Sequence, residues 1–200
     1  MIRRMQLLDI KSVVLLHLST FSGFFLSFLG FNFLKCFYQA VLKDEASIAL
    51  VFDERKYLSG FVVGTSEPEG FYKRTLVRDW PRLMFASILP VLKQPTTVLR
   101  LARRLVMVRK ESYEPNEALL MSIAVTPSSQ EHGIGRQLLE SFLVEAKQKG
   151  ASIVSLTTDK LGNDRVNQFY LHAGFTCSRS FSTSEGRQMN LYTKDLYRDA

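Results

Sequence analysis

Two short segments carry residues whose types and spacing suit chemistry, and the first of them is the loop from Gln130 to Gly135. Gly133 and Gly135 stand there directly before a long run of apolar residues at helical spacing. Free backbone amides at such a helix start, together with the helix dipole, favour an anion such as a phosphate without any side-chain charge. The spacing lacks the Gly-Lys-Ser/Thr ending of a Walker loop and the further glycine of a Rossmann fingerprint. Because tight packing explains a Gly-x-Gly turn about as often, this segment is a candidate anion site that needs support from elsewhere in the chain.

The second segment begins at Asn163, thirty residues after the first of these glycines, and runs through Phe169 and Tyr170 to Gly174. Its apolar spacing predicts a short helix from about Asn163 to His172, followed by a turn. A phenol such as that of Tyr170 can give a proton to a leaving group held within hydrogen-bond distance. Taken alone, an aromatic residue beside Phe169 is more simply a core residue. The segment therefore adds a candidate proton donor to the candidate anion site.

Periodicity predicts the helices and strands that must position these two segments. We expect a helix after an N-cap at Asp9 to about Ser19, a Phe-rich loop, a helix from about Gly30 to Leu42, strands at Ser47–Phe52 and Tyr57–Gly64 that form an antiparallel hairpin, helices at about 71–89 and 96–106, a strand at 118–125, a helix from Ile134 to the Gly150 stop, a strand at Ser152–Thr158, the short helix above, and strands at about Phe175–Phe181 and Arg187–Leu196. The order strand, helix, strand, helix, strand predicts an α/β arrangement with at least one parallel pair and a right-handed crossover.

Together the two segments resemble the GNAT superfamily of acetyl-CoA-dependent N-acetyltransferases. The pattern is Gln-x-x-Gly-x-Gly after an apolar strand and then Asn-x-x-Val-x-x-Phe-Tyr-x-x-x-Gly-Phe, within the stretch from about Glu117 to Phe175. The N-terminal helices and the hairpin agree more loosely. The resemblance implies a single domain over residues 1–200, with a central mixed, mostly antiparallel sheet that has a splayed parallel pair and is flanked by helices. It also implies acetyl-CoA as co-substrate and no metal, and it makes the basic helical segment at about 66–112 an insertion.

The resemblance carries roles onto individual positions of this sequence. It implies main-chain contacts to the pantetheine arm at Ile123 and Val125, a diphosphate held by the loop residues Gln130, His132, Gly133, Ile134 and Gly135, added charge from Arg136, and a pantetheine contact from Asn163, with Asn167 one helical turn further on. It also implies that Tyr170 protonates the departing thiolate of coenzyme A. From the residues alone, Asn167 is a polar residue on the helix surface.

The proton acceptor for the attacking amine is not carried over, because Leu119 stands where some family members have a glutamate in the central strand. Glu117 lies two residues earlier on the same strand face, since side chains alternate with a period of two. Asp159, just after the next predicted strand, is a second candidate. The third alternative is direct attack by an already neutral amine, with water as the proton acceptor. The candidate catalytic residues are therefore Tyr170, Glu117 and Asp159.

The positive charge of the chain is concentrated in one segment. The formal net charge is +7, from 26 basic and 19 acidic residues, and 46% of the residues are hydrophobic. Residues 70–110 hold ten basic residues against Asp79 alone, which gives +9 there, and the other 16 basic and 18 acidic residues give −2. Such a segment predicts a phosphate-bearing partner or an anionic membrane surface, although most charge runs are solvated helix faces. The composition is that of a globular chain and excludes collagen-like, low-complexity and disordered classes.

Cysteine count and hydropathy bear on the compartment. Cys36 and Cys177 are too few for a disulfide framework and lack metal-ligand spacing, so we expect a reducing, cytoplasmic location. The 23 residues from Ser12 to Leu34 carry no full charge, but their polar and glycine residues favour two packed helices over a membrane span. Peripheral contact with the inner membrane through the basic insertion stays open, as does a homodimer, and no nucleic-acid partner is expected.

The acceptor that the resemblance implies is an aminosugar. The segments Leu156–Asp159 and Gly186–Asn190 are similar to those of uncharacterised family members from bacterial surface-polysaccharide gene clusters. This similarity implies a small-molecule acceptor with a primary amine that is nucleotide-linked or lipid-linked and therefore phosphate-bearing. The alternatives are a protein N-terminus or lysine, another small amine, or a non-catalytic module on the same fold that binds coenzyme A or a membrane surface.

Overall fold

A mixed sheet of seven strands crosses the part of the chain that the computed structural model describes, which comprises residues 1–21, 25–54, 57–78, 113–130, 132–183 and 186–198. The strands are β1 (Ile2–Arg4), β2 (Ser47–Asp53), β3 (Leu58–Thr65), β4 (Glu117–Val125), β5 (Ile153–Asp159), β6 (Thr176–Ser182) and β7 (Gln188–Asp195). They lie in the order β1-β2-β3-β4-β5-β7-β6, and neighbours are antiparallel except for β4 and β5, which are parallel. The predicted mixed, mostly antiparallel sheet is confirmed, whereas β1 has no counterpart in the prediction.

Helices cover both faces of this sheet. They are α1 (Ile10–Thr20), α2 (Phe25–Phe28), α3 (Gly30–Val41), α4 (Phe71–Arg78), α5 (Ile134–Gln148) and α6 (Asp164–His172), with short 3-10 turns at Leu7–Asp9 and Pro127–Ser129. The first two predicted helices are confirmed as α1 and α3, but the predicted loop between them is wrong in part, because it contains α2. α4 confirms the beginning of the helix expected at about 71–89. The remainder of that helix and the one expected at about 96–106 lie outside the described residues.

The uncharged stretch from Ser12 to Leu34 does not form one helix. α1 ends at Thr20 and α3 begins at Gly30, and both helices contribute to the same buried cluster. Within the ranges that the structure describes, no helix has the length and apolarity needed to cross a membrane.

The side chain of Asp9 does not cap α1, contrary to the sequence prediction. Its backbone is already helical, and its carboxylate accepts hydrogen bonds from Arg3 Nη1 and Nη2, at 2.7 and 2.8 Å, and from the Gln6 amide at 2.7 Å. The hydrogen bonds from Arg3 lower the pKa of Asp9. The carboxylate therefore caps the 3-10 turn that precedes α1 and ties this turn to β1.

Two hydrophobic clusters lie on the two faces of the sheet. α1 and α3 cover one face, where Tyr38 and Phe61 are among the largest fully buried side chains. α5 covers the other face with Leu138 and Phe142, which are also fully buried. Burial of a large apolar side chain stabilises a fold by about 1.5–3 kcal/mol. These clusters therefore hold the helices rigidly against the strands that carry the site.

A β-bulge at Met121 interrupts β4. Along β3, Val63 pairs with Ser122 but the next residue, Gly64, pairs with Leu120, so Met121 is the extra residue. A bulge bends its strand and increases its twist. The parallel register between β4 and β5 covers only residues 117–119 of β4, before the bulge, while β5 continues to pair with β7 as far as Asp159. The carboxyl ends of β4 and β5 are thus splayed, as the resemblance implies.

Two glycines in β3 let α5 lie close to the strands beside the bulge. A Cβ atom on Gly64 would lie 2.6 Å from the ring of Phe142 and still closer to the carbonyl oxygen of Leu119. A Cβ atom on Gly60 would lie 2.9 Å from both the carbonyl oxygen of Ala124 and a methyl group of Leu138. Both distances are too short for real Cβ contacts, so the packing of α5 on the splayed strand requires glycine at these positions.

Candidate active site

The unpaired edge of β4 forms one wall of the candidate site. Ile123 and Val125 pair with β3 on one side, at Val62 and Gly60, but have no register partner on β5. Their side chains are half-buried and pack against the cluster under α5. Their predicted role, a main-chain contact through the free strand edge, is therefore compatible with a structural role for their side chains.

The start of α5 forms the second wall. Gly133 is its N-cap residue, in the left-handed conformation with φ of +71°, and among the described residues no side chain caps the helix. The first helical bond runs from the Gln137 amide to the Gly133 carbonyl at 3.0 Å. The helix's own carbonyls therefore cannot accept from the amides of Ile134, Gly135 and Arg136. Since the Ile134 side chain is buried, these amides are held in place at the position where the sequence predicts an anion site.

The side chains around this loop reach towards neighbouring elements. Gln130 is exposed, and its Oε1 accepts a hydrogen bond from Arg165 Nη1, in the first turn of α6, at 3.4 Å. His132 is exposed and lies near Glu54 of the β2–β3 turn. The pKa of Glu54 is lowered mainly by a hydrogen bond from Ser59, and the nearby His132 makes a smaller contribution. The loop is thus flanked by the β2–β3 turn and by α6.

Arg136, predicted to add charge to the loop, is engaged along its own helix. Its Nε donates to Glu140 Oε1 at 2.7 Å, an i,i+4 pair in which both side chains are mostly exposed. Exposed pairs of this kind contribute only a few tenths of a kcal/mol, about 0.3–0.5. The pair nevertheless orients the guanidinium towards the C-terminal part of α5.

Asn163 lies at the start of α6, where the sequence places it. It does not cap the helix with its side chain. Its Nδ2 instead donates to Thr158 Oγ1 at 2.8 Å and to the Asp159 carbonyl at 3.3 Å. These bonds fix the amide group at the carboxyl end of β5, beside the splay.

Asn167 is not a helix-surface residue. It is buried, and its Nδ2 donates to the carbonyls of Asp159 and Asn163 at 3.0 and 2.9 Å. Its Oδ1 accepts from Asn190 Nδ2 at 3.1 Å and from the Tyr192 hydroxyl at 2.9 Å. Four hydrogen bonds use the whole capacity of the amide. The structure therefore makes Asn167 a link between α6, β5 and β7 and gives its side chain no spare group for a cofactor.

Tyr170 lies on the inner face of α6. Its side chain is 5% exposed and packs edge-on against the rings of Phe169 and Phe175, with centroids 5.2 and 5.7 Å away. Burial raises the pKa of its hydroxyl, so the phenol keeps its proton at neutral pH. Among the described residues, the hydroxyl has no hydrogen-bond partner that would hold its proton. Tyr170 is thus both a core residue and a protonated donor.

The two carboxylates considered as bases lie in different places. Glu117 is at the first position of β4, where it accepts hydrogen bonds from Ser155 Oγ and, at 2.7 Å, from the Glu114 amide. Six residues separate it from Ile123, which is roughly 20 Å along a strand. Asp159 lies at the carboxyl end of β5 and forms a two-point ion pair with Arg187.

The fold therefore brings most of the predicted residues to one end of the sheet. The strand edge, the α5 start and the α6 residues Asn163, Asn167 and Tyr170 meet at the carboxyl ends of β4 and β5, with Asp159 beside them. Glu117 is at the other end of β4. Arg165 is the residue at this site that sequence reasoning missed, although it stands two positions after Asn163 within the same motif. Among the described residues, no group of three or more His, Cys, Asp or Glu side chains is arranged to hold a metal ion.

A helix start beside a splayed parallel pair, with a buried phenol on the adjoining helix, is the arrangement that the sequence resemblance implies for an acetyl-CoA-dependent acyltransferase. The model of the Acetyltransferase (GNAT) family matches residues 20–175, and the chain belongs to this family. The protein is accordingly an N-acetyltransferase, and the co-substrate of its fold is acetyl-CoA. No curated protein sequence matches the chain.

Solved structures with a similar fold share little sequence with this chain. An aminoglycoside 6'-N-acetyltransferase complexed with coenzyme A is 11% identical, with 100% of this chain and 99% of that chain covered and a TM-score of 0.65. Ard1 from Thermoplasma volcanium is 15% identical, with 99% and 98% covered and a TM-score of 0.64. The ribosomal-protein-S18-alanine N-acetyltransferase from Escherichia coli is 15% identical, with 100% and 96% covered and a TM-score of 0.58. At these identities the likeness shows the fold alone.

Proposed function

We propose that this protein transfers the acetyl group of acetyl-CoA to a primary amine of an aminosugar that is nucleotide-linked or lipid-linked. The observation that carries the transfer is the meeting of the free β4 edge, the uncapped start of α5 and the Tyr170 phenol at one end of the sheet. We propose that residues 1–200 form a single domain, in which the basic insertion at about 66–112 borders the acceptor. The similar structures above, which align over nearly the whole chain, support one domain.

The residues present fit coenzyme A. The amides of Ile134, Gly135 and Arg136 would hold its diphosphate, because the helix leaves them without acceptors and concentrates a partial positive charge there. The main chain of Ile123 and Val125 would bond the pantetheine arm through the free strand edge. Asn163 retains its side-chain oxygen for the same arm, since within the described part of the chain both hydrogen bonds of its amide group use the nitrogen.

Tyr170 is the proposed acid. When the amine attacks the thioester carbon, a C–N bond forms and the C–S bond breaks, so the departing sulfur needs a proton. The Tyr170 hydroxyl supplies it, because burial keeps the phenol protonated until negative charge develops nearby. Solvent then restores the proton.

The contacts of the two carboxylates favour direct attack by a neutral amine over a dedicated base. Glu117 is held by Ser155 and lies far along the strand from the splay, and Asp159 is held by Arg187. We propose that water takes the proton of the amine and that Asp159 positions the β6–β7 connection through Arg187. Rate should then rise with the fraction of neutral amine, and replacing Glu117 by Gln should leave the pH profile unchanged.

The aminosugar proposal depends on the insertion's charge and on chemistry. Residues 70–110 carry +9, which suits the diphosphate of a nucleotide-linked or lipid-linked sugar. Within the described residues, Arg74 is one of these cations and is used within the fold, because it donates to Asp44 Oδ2 at 3.0 Å and to the carbonyls of Glu67 and Glu69 at 2.8 Å. The name of one similar structure, an aminoglycoside acetyltransferase, agrees with an amine on a sugar.

Calorimetric titration with acetyl-CoA tests the cofactor site. Binding should be detected at about 1 mM ligand, where even a millimolar site is half filled. Gly133→Val should abolish binding, because a branched side chain enters the path of the diphosphate and strains a left-handed residue by about 1–2 kcal/mol. Gly150→Val is the matched control, since Gly150 has a φ of +88° at the other end of α5. Absence of binding by the unaltered protein would refute both the enzyme and the cofactor-module interpretations.

Turnover of a panel of amines tests the identity of the acceptor. Release of free thiol should be fastest with nucleotide-linked aminosugars and slower with peptides and polyamines; a preference for peptide N-termini would overturn the aminosugar proposal.

The variant Tyr170→Phe tests the proposed acid and should lower kcat by about 100-fold with little change in coenzyme A affinity. Tyr197→Phe, an exposed tyrosine, is the control. Full activity of the Tyr170 variant, where chemistry limits the rate, would make the phenol purely structural.

Two assays on the basic insertion distinguish a phosphate-bearing acceptor from an anionic membrane as its partner. Reversal of Arg78 and Arg82 to Glu should raise the acceptor KM and leave that of acetyl-CoA unchanged. The alternative is a cytoplasmic protein that is peripheral to the inner membrane. In that case the unaltered chain should sediment with anionic vesicles and should detach at about 1 M salt, where the Debye length is about 3 Å. If charge reversal leaves the acceptor KM unchanged and the protein does not bind vesicles, these arginines belong to a solvated face. That result would remove the main support for a phosphorylated acceptor. Sedimentation equilibrium tests whether the chain forms the homodimer that the sequence leaves open.

A further inference from the structure

A polar contact between α6 and β7 lies next to Tyr170. Asn167 stands three residues before Tyr170 on α6, and its Oδ1 accepts hydrogen bonds from Asn190 Nδ2 and from the Tyr192 hydroxyl, at 3.1 and 2.9 Å. Asn190 and Tyr192 are two residues apart on β7, so their side chains lie on the same face of the sheet. The two bonds therefore help to set where α6 lies over β7.

Tyr192 contacts the ring of Tyr170 as well as Asn167. The centroids of the two tyrosine rings are 5.9 Å apart, and the ring planes meet at 34°. Tyr192 is 2% exposed and Tyr170 is 5% exposed, and both belong to the cluster under α5. Because side chains in such a cluster are closely packed, a shift of Tyr192 or a rotation of α6 would also move the Tyr170 ring.

The polar groups of this contact are buried together with the rings. Asn167 and Asn190 are both more than nine-tenths buried. A hydrogen bond between buried groups adds little net stability, because the unfolded chain makes equivalent bonds to water. Hydrogen bonds do have preferred directions, which apolar contacts lack. What this contact adds is thus a defined orientation of α6, the helix that carries the proposed acid.

We propose that Asn190 and Tyr192 are positioning residues that act through Asn167 to hold the Tyr170 phenol within reach of the departing sulfur. Among the described residues, the Tyr170 hydroxyl has no hydrogen-bond partner, so its place depends on its ring and on α6. Misplacement by about 1 Å can slow a reaction on the order of 100-fold. The Tyr192 hydroxyl keeps its proton in the bond to Asn167 throughout. This inference rests on the proposed function, since it assumes that Tyr170 is the acid.

The variant Tyr192→Phe tests the proposal with a minimal change. It removes one hydroxyl and keeps the ring, and Asn167 Oδ1 keeps its bond from Asn190. With the fastest amine of the panel above, kcat should fall about tenfold. The Kd for coenzyme A should change by less than about twofold, because Asn163 has its own bonds to β5. An unchanged kcat would overturn the proposal.

Thr65→Val is the matched control for the loss of a buried hydroxyl. Thr65 is fully buried at the end of β3 that pairs with Leu119, away from the carboxyl end of β4. Its hydroxyl accepts a hydrogen bond from the Glu67 amide at 3.1 Å, so its removal should cost stability without changing kcat. Equal losses of kcat in both variants would make the effect of Tyr192→Phe a general loss of stability and would overturn the proposal.

The double variant Tyr170→Phe/Tyr192→Phe separates positioning of the acid from any other role of Tyr192. If Tyr192 acts through the Tyr170 hydroxyl, its loss should lower kcat no further in a protein that already lacks that hydroxyl. A further tenfold fall would show that Tyr192 acts independently and would overturn this inference alone. Full activity of Tyr170→Phe, or no turnover of any amine by the unaltered protein, would instead refute the proposed function and this inference with it.

Discussion

The buried histidine of α1 predicts a loss of stability in mild acid that is independent of any ligand. His17 is 3% exposed, and its Nδ1 lies 2.8 Å from the hydroxyl of Tyr38, itself fully buried. The ring of Phe21 lies 4.9 Å from the imidazole. Its Nε2 is buried and has no hydrogen-bond partner among the described residues. Burial lowers the pKa of His17 from 6.5 to about 4, so the imidazole is neutral in the folded protein at neutral pH.

The sign and size of the effect follow from linkage. Between pH 6.5 and pH 4 the unfolded chain holds a proton on this ring and the folded chain does not, so lowering the pH favours unfolding. Each unit of pKa difference corresponds to about 1.4 kcal/mol, which gives about 3 kcal/mol over the whole interval and about 2 kcal/mol by about pH 5. For a domain of this size, 2 kcal/mol lowers Tm by about 4–8 °C.

Denaturant unfolding between about pH 8 and pH 5 measures this loss. His17→Gln keeps a polar partner for Tyr38 but does not titrate, so its free energy of unfolding should change much less over the interval. His132→Gln and His172→Gln, at exposed positions, should keep the slope of the unaltered protein. The reasoning is refuted if His17→Gln loses as much stability on acidification as the unaltered protein does.

Three further predictions concern packing and the links around the site, and each is checked by denaturant unfolding. Gly64→Ala should destabilise the fold by about 2–4 kcal/mol because its Cβ meets backbone, whereas Gly135→Ala, with no contact under 3.6 Å, should cost less than about 1 kcal/mol; equal effects would contradict the packing argument. Asn167→Leu should cost about 2–3 kcal/mol because it strips partners from buried polar groups, and a neutral result would make the amide dispensable. Asp159→Ala and Arg187→Ala should each cost less than about 1 kcal/mol, and the double variant should cost less than their sum; strict additivity would mean that the ion pair contributes nothing.

The elements with long, regular patterns are those that the sequence predicts well. The helix predicted from Ile134 to the Gly150 stop is α5, Ile134–Gln148, because apolar residues at helical spacing over four turns have one way to face a sheet. The hairpin and the parallel pair follow from strand patterns and their order. β1 is missed because three residues carry no periodicity, and α2 is missed because a four-residue segment of three apolar residues and one serine fits a loop as well as a helix.

Within the site, the motif predicts backbone positions better than side-chain partners. The glycine loop, Asn163 and Tyr170 stand where the pattern places them, because the pattern describes a strand, a turn and a helix. The hydrogen bond from Arg165 to Gln130 depends on contacts across the gap between α5 and α6, which a single sequence does not encode. The same holds for Asn167, whose partners come from β5 and β7.

The bulge at Met121 is the feature on which the site most depends, and the residues of β4 by themselves do not predict it. Strict alternation from Ala118 would place Ala124 on the α5 face, but the extra residue moves it to the face covered by α1 and α3 and turns Ile123 towards α5. The same shift ends the pairing of β4 with β5 and frees the edge on which the proposed pantetheine contacts depend. The eight apolar or small residues at 118–125 can form such a strand with or without a bulge. Gly64, which lies beside the bulge on β3, permits it, because the Leu119 carbonyl and the Phe142 ring fit there only in the absence of a side chain.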